Sequence, residues 1–316
     1  MGPEVVVVGD VNIDIITNPL SGDAVKALRE GRESEIISNF TLSLGGNAAN
    51  CALALSKLGI KTRLIGALSD DPISRWLIEF LEENKVEFHR CYKNTPSGIT
   101  FAITYEEGTR TFISSFGSNQ FLSLEDIKLE LIEGKHLHRA GYWWAPKFMG
   151  DATRQLFQIA REKGLSTSLD IGWDPQGWTE KRRDALLYCL ELCDIFFLNN
   201  KELEALTQSQ IDEGAELILR RGTKVIGLHY GAEGCKIYFN NNSLMIPSYK
   251  VPLRNPTGTG DIFNAAFIYG YLMEWDFEQI GKFANACAAL HLSDQTALYP
   301  TLKEVQHFMK SYNNEV

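Results

Sequence analysis

The chain has 316 residues, 44% of them hydrophobic, with a formal net charge of −9 at pH 7 and a pI near 5.3. That is enough to bury a sizeable core, as one large α/β domain or two smaller ones, and the acidic balance gives no overall attraction for nucleic acid or an anionic membrane. No basic segment precedes the short run Val5–Val8, and no apolar run reaches the ~18 residues of a membrane-spanning helix, so a cytoplasmic protein with neither a membrane nor a nucleic-acid partner is expected. In chain order, Glu4–Val8 is a β-branched run that reads as a buried parallel strand. Residues 22–33 are charged and helix-prone, an excursion between two strands. Ser38–Leu44 alternates Phe40, Leu42 and Leu44 with Thr41 and Ser43, so one face is expected in solvent. Ala48–Leu58 repeats apolar residues at helical spacing and stops at Gly59. Lys61–Ala67 is the next strand, and Ile73–Asn84 is an amphipathic helix opened by Asp71-Pro72. Ile99–Tyr105 and Arg110–Ser114 flank a short polar turn and predict a hairpin.

From there strand and helix patterns alternate: His136–Tyr142, Asp151–Lys163, Ser166–Ile171, Thr179–Cys193, Ile195–Leu198, Lys201–Ala205, Ile211–Arg220, Lys224–His229 and Cys235–Phe239. Alternation over this length predicts an α/β fold with a doubly wound, mostly parallel central sheet flanked by helices. The half-exposed early strands fit such a sheet poorly. They predict a small β-sheet lid, with strands approximately within 12–44 and 97–116, on a single domain spanning 1–316. The six cysteines are scattered, and Cys189 and Cys193, four apart on one expected helix, lack the companions of a metal site. Buried free thiols are the reading.

Two stretches carry chemistry. Asn255-Pro256-Thr257-Gly258-Thr259-Gly260-Asp261 stands before the apolar run Ile262–Ile268. The helix that follows begins with unpaired amides and the positive end of its dipole. Glycines there let a ligand approach the backbone closely, which suits an anion such as phosphate. The ordinary alternative is a capped helix with a glycine turn. Gly45-Gly46-Asn47-Ala48-Ala49-Asn50 likewise puts glycines and short amides before a helix. Asn47 and Asn50 share a face and could bond a polyhydroxy ligand, or serve as a cap and tight turn. Tyr142-Trp143-Trp144 and Asp170-Ile171-Gly172-Trp173-Asp174-Pro175, each after a strand, could line a sugar pocket or belong to the core.

Together Leu44–Gly59 and Asn255–Phe267 resemble the paired signatures of the ribokinase-like (PfkB) carbohydrate kinases, and further matches extend the resemblance over essentially the whole chain. Val7–Asp14 is similar to the family's first strand, Gly108–Phe112 to its lid hairpin, Asn199-Asn200-Lys201-Glu202 to its N-x-x-E element, and Tyr230–Gly234 to its nucleotide turn. The resemblance implies phosphoryl transfer from ATP, with Mg²⁺, to a hydroxyl of a small sugar or sugar derivative. It implies Asp261 as general base and Gly258, Thr259 and Gly260 as the anion hole. Asp14, Gly46, Asn47 and Asn50 are the implied substrate contacts. Gly231, Gly234 and Asn285 are the implied nucleotide contacts, and Asn199 and Glu202 are implied near the metal through water, although an N-terminal helix cap explains the same four residues. The dipole and amides at the helix mouth are expected to favour the ionised form of Asp261. Asn255-Pro256 replaces the family's usual Asp-Thr, so dependence on K⁺ is expected to be weak, and His229-Tyr230 and Thr296-Ala297 are further departures. The nearest alternative is a nucleoside kinase of the same fold, and a catalytically silent sugar- or nucleotide-binding protein is the more distant one. The exposed lid face predicts a homodimer.

Overall fold

The computed structural model describes residues 2–18, 20–22, 26, 30–31, 39–106, 110–294 and 299–315. Most of the expected 22–33 excursion, Gly108-Thr109 and Thr296-Ala297 lie outside the described residues. Strand β1 (Val5–Gly9) is buried along its whole length and pairs in parallel with β4 (Thr62–Leu68) on one side and β8 (His136–Arg139) on the other. Its period-two alternation sends Val5 and Val7 into one apolar cluster and Val6 and Val8 into the other, so both faces are covered. The full order is β13-β12-β11-β10-β9-β8-β1-β4-β5, with β5 Val86–Tyr92, β9 Ser166–Asp170, β10 Ile195–Asn199, β11 Val225–His229, β12 Cys235–Phe239 and β13 Asn242–Ile246. Strands β12 and β13 are antiparallel and close one edge. The connection order reverses at β1. The crevice outside the carboxyl ends of strands at such a point is where open α/β sheets bind ligands.

Leaving β1, the chain enters a second, four-stranded sheet: β2 (Asn12–Thr17), β3 (Phe40–Gly45), β6 (Gly98–Thr104) and β7 (Arg110–Ser115), in the order β3-β2-β6-β7. The register puts Ile13, Ile15, Leu42, Leu44, Phe101 and Ile113 on one face. Asp14, Ser43, Thr100 and Ser114 share the other, where the Thr100 and Ser114 hydroxyls lie 3.0 Å apart. Ile13 and Leu44 are buried, and most of the rest of the apolar face is left in solvent: Phe40 is 52% exposed, Leu42 49%, Phe101 46% and Ile113 59%.

The structure differs from the sequence reading at several elements. Strand β5 is an edge strand whose charged residues hide its period, and β13 is exposed over four of its five residues. The two segments expected between β10 and β11 are both helices, Asn200–Thr207 and Ile211–Arg220, so strand and helix do not strictly alternate there. The expected Thr179–Cys193 helix ends at Cys189 and tightens to a 3₁₀ turn over Leu190–Leu192, leaving Cys193 outside it. All six cysteines are buried and free.

Candidate active site

Helix α1 (Asn47–Lys57) runs from the lid into the core, with Gly46 as its N-cap at φ 93°. No side chain at its own N-terminus caps it. Asp10, just past β1, reaches across instead: Oδ2 accepts from the Asn47 amide at 3.1 Å and Oδ1 from the Ala48 amide at 3.2 Å. That leaves the Asn47 side chain available, and its Nδ2 donates to Asp170 Oδ2 at 3.0 Å. One turn on, Asn50 is buried and its Nδ2 donates to Asp261 Oδ2 at 2.9 Å. Asn50 Oδ1 in turn accepts from the Tyr299 hydroxyl at 2.8 Å.

Asp261 is the third residue of a second helix, α2 (Thr259–Leu272), and so lies in its first turn. Gly258 caps that helix at φ 79°, a left-handed conformation that a side chain would strain. Gly258, Thr259, Gly260 and Asp261 line a cleft of about 930 Å³. Its wall also holds Asn47, Asp170, Asn199, Glu202, Gly231, Gly234 and Asn285. The structure therefore gathers ten of the thirteen expected site residues around one cavity. The other three stand behind its wall. Gly46 shapes the turn into α1, Asn50 holds Asp261, and Asp14 sits on the polar lid face with its carboxylate against Gly45, where a Cβ would come within 2.0 Å of Oδ1.

Asn199 and Glu202 form a reciprocal capping box: Asn199 Oδ1 accepts from the Glu202 amide at 3.0 Å, and Glu202 Oε2 from the Asn199 amide at 2.8 Å. Glu202 keeps Oε1 for other work, and burial pushes its pKa up to about 7. Asn285 lines the cavity, but its Nδ2 is committed to the carbonyls of Ile246 and Pro247, both at 3.1 Å. Its first task is to pin the end of β13 to the helix that carries it.

Electrostatics correct one expectation. The first turn of α2 was expected to favour an ionised Asp261. Burial and the neighbouring Asp170 charge instead push its carboxyl well above the usual carboxylate range, against the lowering bond from Asn50. Asp170 is raised to about 6 and Asp14 to about 7, burial leading in both and the Asp10 charge adding to it. Four carboxylates crowd a water-poor corner, and that outweighs a helix dipole of about 1 kcal/mol.

Several contributors escape a sequence reading. Asp10 and Tyr299 had no local signal, since their partners lie 37 and 249 positions away. Asp170 was one of two open readings and proves to line the cavity. His229 ends β11 on the same wall, its Nε2 2.9 Å from Asn264 Oδ1, and burial lowers its pKa to about 4. Tyr142 and Trp143, by contrast, belong to the core, while Asp174 is locked by Arg182 at 2.7 Å and 2.8 Å.

A helix mouth of glycine amides with a carboxylate in its first turn, on the wall of one cleft, is the arrangement of a phosphotransferase acting on a hydroxyl-bearing small molecule. Residues 3–303 match the model of the pfkB family carbohydrate kinases, and the chain belongs to that family. It is an ATP-dependent carbohydrate kinase. It is 27% identical to a 5-dehydro-2-deoxygluconokinase of Clostridium botulinum, over 97% of this chain and 93% of that one. It is 25% identical to the enzyme of the same name from Geobacillus kaustophilus, over 90% and 89%. Among solved structures, a ribokinase from Arabidopsis thaliana complexed with ribose and ATP superposes with a TM-score of 0.79 at 23% identity, covering 98% of this chain and 99% of that one. An E. coli protein described as a ribokinase II, in complex with ATP and Mg²⁺, superposes at 0.85 with 22% identity over 98% and 99%.

Proposed function

We propose that this kinase moves the terminal phosphoryl group of ATP to a hydroxyl of a small sugar or sugar derivative held between the lid and α1. The observation that carries the reading is Asp261, tethered by Asn50 beside the Gly258–Gly260 amides on the wall of the cleft. The hydroxyl becomes nucleophilic as Asp261 accepts its proton, and the amides stabilise charge on the transferring group. The nucleotide lies along Gly231, Gly234, Tyr249, Val251 and Leu292, with Lys201 and Lys250 adding positive charge at that end. Mg²⁺, when bound with the nucleotide, neutralises charge on the phosphate oxygens. Asn199 and Glu202 fit it through water, since no cage of three or more His, Cys, Asp or Glu side chains exists among the described residues.

The curated relatives carry a sugar-acid name, and solved neighbours include ribose and adenosine kinases. Asp170 lines the cleft, and the lid face that carries Asp14 and Thr100 also carries Arg110 by register, so charge on that face does not select between a neutral sugar and a sugar acid. The test is a mass-resolved phosphorylation screen of neutral sugars, sugar acids, polyols and nucleosides with ATP and ADP as donors. A sugar or sugar acid as best acceptor is expected, and a nucleoside as best acceptor would overturn this choice of acceptor. Asn255, uncharged where the family usually has a carboxylate, supports weak K⁺ dependence. Exchange of Na⁺ for K⁺ at constant ionic strength should leave turnover nearly unchanged. The apolar lid face supports a homodimer through the lids.

A further inference from the structure

The anion loop is fastened to the far end of another helix. In helix α3 (Phe277–Ser293), His291 lies in the last turn and is 1% exposed. The backbone amides of Arg254 and Asn255 both donate to Leu292 O at 2.9 Å, tying the start of the loop to this helix end. Further along the loop, His291 Nε2 lies 2.7 Å from the carbonyl oxygen of Thr257. A carbonyl only accepts, so Nε2 carries the proton and donates. The Asn255 side-chain amide is the more distant neighbour of that nitrogen, at 3.4 Å.

The Thr257 carbonyl and the Gly258 N–H belong to one peptide unit, and no peptide bond among the described residues is cis. In a trans plane the two groups point in opposite directions. Holding the oxygen toward His291 therefore turns the Gly258 N–H away from His291. Gly258 lines the cleft and His291 is not among the lining residues; its Nε2 is 3.7 Å from where a Cβ on Gly258 would lie. The His291 ring also packs 5.6 Å from that of Tyr299, whose hydroxyl holds Asn50 and through it Asp261. One buried imidazole thus touches the supports of both the anion hole and the base.

We propose that His291 is a positioning residue for phosphoryl transfer: its Nε2–H clamps the Thr257 carbonyl and thereby aims the Gly258 amide into the cleft. This rests on the kinase reading. It also gives weak K⁺ dependence a physical basis, because the carbonyl at the base of the loop already has a donor within the protein.

The test compares His291→Leu, which keeps bulk and removes the donor, with His291→Gln, whose amide nitrogen can reach the same oxygen, and His291→Asn, whose amide is too short. Turnover, the acceptor KM, the ATP dissociation constant and the melting temperature are measured for each. The Leu and Asn variants should lose about 10²-fold in turnover, the usual effect of losing one anion-hole donor, with acceptor KM and melting temperature near wild type. Gln should recover most of the loss. Wild-type turnover in the Leu or Asn variant, failure of Gln to rescue, or turnover loss that merely follows melting temperature overturns the clamp. If Leu does not fold, Gln against Asn decides alone. If wild type phosphorylates no carbohydrate, the kinase reading fails separately. The clamp is then judged on ATP affinity, which must weaken in Leu and Asn and return in Gln.

Discussion

Asp261→Asn keeps the volume of the side chain and a partner for Asn50 while removing the proton acceptor. Turnover should fall by roughly 10²–10⁴-fold, the usual worth of a positioned general base, with ATP binding little changed because the anion-binding amides belong to the backbone. Asp174→Asn is the contrasting case. Asp174 accepts from Arg182 and from the amides of Gln176 and Trp178, away from the cleft lining. Its replacement should cost stability, roughly 3 kcal/mol for breaking a buried pair, and spare turnover of the folded enzyme. Equal turnover loss in both variants would remove Asp261 from its role. The raised pKa of Asp261 adds a pH prediction. A base works deprotonated, so kcat/KM should rise with pH along an acid limb lying well above the ordinary carboxylate range. A limb near pH 4, about the ordinary carboxylate value, would show that the crowding of Asp10, Asp14 and Asp170 does not act on it. The residues that could be read from sequence were those whose task is local. A glycine cap followed by an acid in the first turn is complete within Gly258–Asp261. Asp10 was invisible because a carboxylate that caps a helix from 37 positions away has no spacing rule.

At the level of elements, strands with one polar and one apolar face were legible and edge strands were not. Phe40, Leu42 and Leu44 share one face of β3, and the register with β2 puts Leu42 and Leu44 opposite Ile15 and Ile13. Strand β5 carries Glu87, His89 and Arg90 at the outer edge of the sheet, where burial no longer selects residue type. The same lid that was easy to read leaves an apolar face in solvent. Lid strands in a monomer would expose Phe40, Leu42, Phe101 and Ile113 side by side, a patch of the kind that marks an interaction surface. A second copy of the lid offers the matching face with two-fold symmetry. Wild-type protein at micromolar concentration should therefore show a dimer mass by light scattering. Leu42→Asp with Phe101→Glu should shift it to monomer while leaving the main-domain melting transition in place. A monomeric wild type refutes the lid interface outright.

For the whole molecule, the order of strands converts distant sequence into one site. Asn50 and Asp261 are 211 positions apart and 2.9 Å from each other, a meeting set by α1 and α2 packing together against one face of the sheet. The family resemblance assigned Asn50 to the substrate and Asp261 to the base, without the bond between them, and periodicity alone could assign neither. The convergence has an energetic consequence across the whole fold. Asp14 and Glu202 are raised to about 7 and Asp170 to about 6, all chiefly by burial. Each binds its proton more tightly folded than unfolded. The stability this gives is full below the unfolded values, near about 4, and is lost as pH rises through the folded values near 6 and 7. Between those limits each such group costs about 1.4 kcal/mol for every step of one in pH. His136 and His229, each lowered to about 4 by burial, run the other way, their contribution lost as pH falls from about 6.5 toward 4, and they offset part of the carboxylate effect over that range. Asp71 does the same at lower pH. Held down to about 2 by bonds from the Ser97 and Ser74 amides, it loses its contribution as pH falls from about 4 toward 2. The ligand-free protein should accordingly melt highest near about pH 5 and lower at about pH 8. In the proposed site Mg²⁺ lies near Glu202, where its charge would favour the ionised carboxylate, so MgATP should raise the melting temperature more at the higher pH than at the lower. Calorimetric scans at both pH values, with and without MgATP at equal saturation, measure the two differences. A ligand-free protein more stable at the higher pH, or a larger MgATP gain at the lower, would mean that the buried carboxylates are not the strained element of this fold.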